Sequence, residues 1–470
     1  MLYPETAFAN FDNMLQCLED PIAELRSGLI GANVRIDTPT GQKKMIYADY
    51  VASGRALRQI EDFVLEEVLP YYANSHTEQS LCGARMTRMR EEARGLIARH
   101  CNANANEHAV IFGGSGATTG LNQAIHLFGI HAAVAAGRPV HVLVGPYEHH
   151  SNLLPWRESG AEVIEIAEAT EGGVDLDDLI SVLAEIADKD SLIIGAFSAA
   201  SNVTGVCTDP APISRLIKAH GGRVLWDYAG GAPYLPMSMS PDGINIDAIV
   251  FSPHKFIGGP GASGILIIRR DAVTTMQPSR PGGGTVAFVN ERQHDYVDRL
   301  EQREEGGTPN VVGDIRAALA VLVKESIGQT QITSINQRLS AFGFRAANSL
   351  PGMDMLAPAR TDRLPIFSFV PRDKKGQRLD YRHFTQQLSE SYGIQARGGC
   401  SCAGPYVHSL LGISDIQSEQ LRDALLNGDE EGKPGFVRFN LSYLMDDATI
   451  DAIFSGIGAL LEESAGIGCG

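Results

Sequence analysis

Nowhere in these 470 residues does an apolar run approach the length needed to cross a bilayer, so no membrane-spanning segment is expected. Positive charge is in deficit. The 39 Lys and Arg against 56 Asp and Glu leave a formal net charge of -17, which argues against nucleic acid or an anionic membrane as partner. The opening Met1-Leu2-Tyr3-Pro4-Glu5 has neither a basic stretch nor an apolar core, and no secretory signal is expected. Cysteine is sparse and unpatterned. Seven are scattered without framework spacing, which fits a reducing compartment, and the expected location is cytoplasmic. Internal repeats and low-complexity linkers are missing as well. The composition, 44% hydrophobic and 20% charged, is that of an ordinary soluble enzyme on a chain long enough for two domains.

Apolar strand patterns recur at 109–112, 140–144, 161–166, 191–197, 223–226, 246–250 and 264–269, with helical patterns such as 175–186 and 209–220 between them. This alternation is the mark of an α/β domain on a mostly parallel sheet, and such sheets bind ligands at the C-terminal ends of their strands. His149, Asn202, Asp227 and Lys255 all fall at such ends. Read singly, each is a capping or turn residue; four in succession are hard to read as caps alone. The basic helix at 86–100 is expected to present a solvated face. A long helical stretch runs over 311–350, and a second α/β unit begins near 351, with strands at 364–370 and 437–441 and helices at 381–392 and 448–464. The expected division is an N-terminal segment 1–44 packing on the small domain, a large domain 45–325 and a small C-terminal domain 326–470.

Two stretches carry chemistry. Phe251-Ser252-Pro253-His254-Lys255 follows a buried strand and runs into Gly258-Gly259-Pro260-Gly261. A desolvated lysine there has a lowered pKa and can condense with an aldehyde cofactor. Gly113-Gly114-Ser115-Gly116-Ala117-Thr118-Thr119-Gly120 joins a strand to a helix, where bare N–H groups and the helix dipole can cradle a phosphate. It matches neither the Walker pattern nor the G-x-G-x-x-G dinucleotide spacing. An imine-forming Lys255, a cradle at 116–119 and a carboxylate at Asp227 are the parts pyridoxal phosphate needs, since a buried Asp keeps the ring nitrogen protonated. His149 could lie against the ring and relay protons, and Asn202 could donate to the phenolate oxygen.

This set resembles the class V aminotransferase family, most closely its cysteine desulfurase and selenocysteine lyase branch. The matching pieces are Tyr47-Ala48-Asp49, Gly116-Ala117-Thr118, Glu148-His149-His150-Ser151-Asn152, Ser201-Asn202-Val203-Thr204-Gly205, Asp227, Ser252-Pro253-His254-Lys255, Gly306-Gly307-Thr308-Pro309-Asn310, and Arg397 with Cys402. They occur in family order over about residues 45–445. The resemblance implies a fold type I homodimer with a mostly parallel seven-stranded sheet and pyridoxal phosphate held on Lys255. It further implies that Gly116, Ala117, Thr118, Ser252 and His254 hold the phosphate from one subunit while Thr308 reaches it from the other. Arg397 would pair with the substrate α-carboxylate.

The chain departs from the family at two points. Gly230 stands where a Gln usually donates to the ring oxygen, so either Asn202 serves alone or the ring environment differs. The lysine loop also has one extra residue, Gly258-Gly259-Pro260. Five residues after Arg397 comes Cys402, as in the desulfurase branch. A thiolate there would take sulfur from L-cysteine, leaving L-alanine and an enzyme persulfide, with a sulfur-acceptor protein as further partner. Cys400 is either a resolving thiol or a bystander, and no metal site is expected, because Cys-x-Cys with His408 lacks a fourth ligand. Selenocysteine lyase, aminotransferase, epimerase and kynureninase-like reactions, which have no need of Cys402, stand as the alternatives, and a non-catalytic scaffold ranks behind them.

Overall fold

The computed structural model describes residues 4–75, 78–186, 190–430 and 432–464. Cys469 lies outside the described residues. Two compact units result. One comprises residues 1–28, 53–199 and 208–329; the other comprises 29–52, 200–207 and 330–470. The first 44 residues therefore do not stay together. Helix α1 (Pro4–Gln16) belongs to the first unit, where Phe8 and Phe11 set their rings 5.6 and 5.3 Å from that of Phe63, and residues 29–44 belong to the second.

The first unit is built on seven strands: β1 (His108–Gly113), β2 (Val140–Val144), β3 (Glu162–Glu165), β4 (Leu192–Ser198), β5 (Arg223–Asp227), β6 (Ala248–Phe251) and β7 (Gly264–Arg269). Their spatial order is β1-β7-β6-β5-β4-β2-β3. The run from β3 to β6 is parallel, and β7 alone runs against its neighbours β6 and β1. Every residue of β4 is buried, as expected of a strand covered on both faces. Trp156 and Trp226 are wholly buried, and burial of side chains of this size contributes about 1.5–3 kcal/mol each.

Helix α2 (Leu81–His100), capped by the Ser80 hydroxyl on Gly83 N–H, is the basic helix, and the expected solvated face is met only at Arg88 and Arg99, which are exposed. Arg85, Arg90 and Arg94 are buried. Glu67 meets Arg85 at 2.7 Å, Asp314 meets Arg90 at 2.7 Å, and Glu305 meets Arg90 and Arg94 at 2.8 and 2.7 Å. A guanidinium is tolerated inside only when a carboxylate goes with it, and these partners come from distant sequence. Helix α3 (Ala117–Leu127) lies on the sheet so closely that a Cβ on Gly120 would sit 2.9 Å from Val250 Cγ1. The long helical stretch is two helices, α4 (Val311–Ile327) and α5 (Gln329–Asn348), broken at Gly328 with φ +84°.

The second unit has an antiparallel sheet of β8 (Met353–Met355), β9 (Ile366–Pro371), β10 (Arg397–Gly399) and β11 (Phe436–Asn440), ordered β8-β9-β11-β10. Phe367 and Phe439 stack at 5.3 Å, and Phe454 of helix α9 meets Phe439 edge-on at 5.5 Å; α9 spans Asp447–Ser464, following α6 (Tyr381–Tyr392), α7 (Gly404–Leu411) and α8 (Asp415–Leu426). Ile46–Tyr47 pairs in parallel with Ile394–Gln395, which carries Asp49 toward the Arg397 strand. None of the described helices is long and apolar enough to cross a membrane.

Candidate active site

In the first unit the expected residues gather at the C-terminal ends of β1, β2, β5 and β6. Strand β1 turns into α3 through Gly116, whose φ of +59° and ψ of -151° only glycine adopts readily. A Cβ there would lie 2.7 Å from Ser252 Oγ and 2.8 Å from His254 Cε1, so glycine is what lets this backbone approach both. The Ala117 N–H donates to Ser252 Oγ at 2.9 Å, and the Thr118 and Ser151 hydroxyls meet at 2.8 Å. Hydroxyls, an imidazole and a helix N-terminus thus face one another, which is the donor chemistry of an anion site. Burial, reinforced by the Lys255 charge, holds His254 down to about 4, so its imidazole is neutral near pH 7.

After β6, Pro253–Lys255 form a single helical turn that leaves Lys255 half-buried. The Gly54 N–H donates to His254 O at 2.9 Å, and a Cβ on Gly54 would fall 1.8 Å from Phe256 O. Asp227 ends β5 fully enclosed. Burial raises its pKa, while the Ala229 N–H, 2.7 Å from Oδ1, and the Lys255 charge pull it back. His149 accepts the Ser151 N–H on Nδ1 at 3.1 Å. Because a backbone N–H can only donate, the proton of the neutral ring sits on Nε2.

Glu148, which the sequence motif includes without assigning it a role, is fixed by four hydrogen bonds. Its buried carboxylate accepts the Gly145 N–H at 3.2 Å, the Ser198 N–H at 2.9 Å, the Ser198 hydroxyl at 2.6 Å and the Asn152 amide at 2.5 Å. Burial pushes its pKa up to about 8 against those bonds, with the Asp227 charge adding to the rise. It knits the ends of β2 and β4 together, and an acidic residue directly before a strand-end histidine was the available signal.

In the second unit Arg397 and Arg438 stand opposite one another in the β10–β11 register. Asp49 separates them, taking Arg397 Nε on Oδ2 at 3.0 Å and Arg438 Nη2 on Oδ1 at 2.7 Å. Arg438 is 2% exposed, and its Nη1 donates to Asn202 O at 2.9 Å. It too was missed; an arginine splitting the apolar Phe436-Val437 from Phe439 was the clue. The Asn202 side-chain amide donates to Ser401 O at 2.8 Å. Cys402 is exposed and Cys400 partly so. Thr308 lies exposed in the loop after α-helical Leu300–Glu304.

The sequence and the fold have counterparts among known proteins. The sequence profile for "Aminotransferase class-V" matches residues 46–453. A cysteine desulfurase of Klebsiella pneumoniae is 28% identical over 381 residues, covering 79% of this chain and 89% of that protein. A probable cysteine desulfurase of Staphylococcus aureus is 26% identical over 374 residues, covering 79% and 86%. Among solved structures, a cysteine desulfurase from Thermococcus onnurineus superposes with a TM-score of 0.75 at 22% identity, covering 94% of this chain and 98% of the other. The seven-stranded sheet, the strand-end site and a match over nearly the whole chain lead to one conclusion: the chain belongs to the class V aminotransferase family of pyridoxal phosphate enzymes.

Proposed function

We propose that this enzyme removes sulfur from L-cysteine, giving L-alanine and leaving the sulfur as a persulfide on Cys402. The observation that carries the reading is the presence in one chain of two constellations. One is a half-buried Lys255 with a buried Asp227 and an anion cradle; the other is an exposed Cys402 on the turn that follows the Arg397 strand. The donor set suits pyridoxal phosphate. The α3 N-terminus, the Thr118 and Ser252 hydroxyls and neutral His254 fit a phosphate, and Asp227 in its low-dielectric position fits a protonated ring nitrogen. When bound, that cofactor supplies an electron sink for substrate carbon.

Lys255 holds the cofactor by its amine and carries protons at substrate carbon. His149, with Nδ1 engaged by Ser151, offers Nε2–H to the reacting group. Arg397, aligned by Asp49, would take the α-carboxylate, and Asn202, with one N–H left beside its bond to Ser401, would be the donor for the ring oxygen. The Cys402 thiolate attacks the substrate sulfur. An S–S bond forms as the C–S bond breaks, and the electron pair left on carbon takes up a proton to become the methyl group of alanine. In a homodimer, Thr308 completes the phosphate site of the other subunit, and an acceptor protein collects the sulfur. The test is turnover of L-cysteine scored as alanine, with and without reductant. Wild-type enzyme should yield alanine and sulfide, and Cys402→Ala should yield neither. Unchanged turnover in Cys402→Ala would remove the persulfide role.

A further inference from the structure

The turn that bears Cys402 is an improbable one for its sequence. The Ala403 N–H donates to Cys400 O at 3.2 Å, closing a four-residue turn, and both central residues have left-handed backbones, Ser401 at φ +52° and Cys402 at φ +56°. This is the primed geometry that ordinarily calls for Asn-Gly or Gly-Gly. A residue with a Cβ disfavours that basin by roughly tenfold, and here two such residues are adjacent. A turn built this way needs something outside itself to hold it.

Asn202 supplies that hold. The Asn202 side-chain N–H reaches the carbonyl of Ser401, the first central residue, at 2.8 Å in a buried setting. Asn202 is itself fixed, because its backbone carbonyl accepts Arg438 Nη1 at 2.9 Å. Arg438 is anchored on Asp49 Oδ1 at 2.7 Å, and Asp49 Oδ2 holds Arg397 Nε at 3.0 Å. Arg397 opens the short strand that leads into the turn, so the contacts close a ring from Arg397 through Asp49, Arg438 and Asn202 back to Ser401. Within that ring only the Asn202–Ser401 bond touches the turn from outside. Among the described residues, Asn202 Oδ1 and Ser401 Oγ are buried with no hydrogen-bond partner, so neither atom adds a second bond at the turn's centre.

We infer that Asn202 is a positioning residue for Cys402: its amide grips the Ser401 carbonyl and keeps the 400–403 turn in a conformation the turn's own residues disfavour. The inference rests on the reading of Cys402 as sulfur acceptor, and adds to it the group that presents the thiol. It also gives Asn202 a second task beside the ring contact expected of it, since one of its two N–H bonds is committed to Ser401.

The experiment follows hydrogen exchange of the 398–407 segment by mass spectrometry in the full-length holoenzyme, together with single-turnover persulfide formation on Cys402. Asn202→Asp keeps the shape but points an acceptor at an acceptor, and Asn202→Ala deletes the grip. Both should speed exchange at the Ala403 N–H about tenfold, the usual scale for one hydrogen bond, and slow persulfide formation. Adding Ser401→Gly to Asn202→Ala should recover at least a threefold part of both losses, because glycine enters the left-handed basin unaided. A lost cofactor contact would not be mended at position 401. Unchanged exchange in both Asn202 variants overturns the inference. So does recovery of exchange without recovery of persulfide formation, which would show that the grip exists but does not present the thiol. Should Cys402→Ala retain full alanine production, the desulfurase reading falls while the exchange measurement still decides whether the grip exists.

Discussion

Adding one methyl group at Gly116 is the sharpest probe of the anion cradle. The Gly116→Ala change meets two obstacles that can be sized from the structure. The backbone sits at φ +59° and ψ -151°, a region all but closed to residues with a Cβ, and holding alanine there costs about 1–3 kcal/mol. The new Cβ would also press 2.7 Å from Ser252 Oγ and 2.8 Å from His254 Cε1, and relieving such overpacking typically costs a further 1–3 kcal/mol. The chain can escape by shifting the backbone, but that breaks the Ala117–Ser252 bond and moves the start of α3 off the cradle. Either way the proposed phosphate site is damaged, because Gly116 lies in the loop that joins β1 to α3. Pyridoxal phosphate titrated into the apo protein, followed by its absorbance, should show a dissociation constant raised about thirtyfold, corresponding to roughly 2 kcal/mol. Unchanged far-ultraviolet circular dichroism would exclude global unfolding. If Gly116→Ala binds the cofactor within threefold of wild type, the cradle assignment is wrong.

Further expectations concern buried charge. Glu305→Gln leaves Arg90 and Arg94 short of a carboxylate in a buried setting and should destabilise the protein by about 3–5 kcal/mol, read from urea unfolding. No loss of stability would mean that water or Asp314 compensates freely. Lys324 is buried with its ammonium on Ala232 O and Leu235 O at 2.8 and 2.5 Å, and burial lowers its pKa from 10.5 to about 7. Between those values the unfolded chain holds a proton that the folded chain does not, so stability should rise with pH across that window. Lys324→Met should flatten the rise; an identical slope in the variant would show that other groups produce it. Asp227→Asn should leave a borohydride-reducible cofactor on Lys255 yet collapse turnover, because the ring nitrogen loses the carboxylate that keeps it charged. Undiminished turnover would dismiss that role.

Much of the site could be read from the chain because it is built locally. The strand before Ser252 and the glycine loop before Thr118 each announce themselves within a few residues, and helix 381–392 appears where its periodicity places it. The features that escaped depend on contacts across long separations. Nothing near Arg90 says that Asp314 awaits it 224 positions away, so the basic helix read as solvent-facing. Arg438 likewise finds Asp49 389 positions back, and Glu148 meets Ser198 only through the sheet. Gly328 ended a helix inside what looked like a continuous pattern, and only its φ of +84° distinguishes it from a tolerated helical glycine.

The Arg94–Glu305 pair has one more consequence. Strand β1 is one of the two edge strands of the seven, and an open margin of that kind offers a row of free N–H and C=O groups to any passing chain. Glu305 Oε1 takes the Phe112 N–H at 2.8 Å, and Arg94 donates to the Val110 carbonyl. Two oppositely charged side chains thereby stand in for the eighth strand the sheet never adds. At those two groups this border is already sealed, and a protein stripped of that seal would be expected to meet its own copies edge to edge.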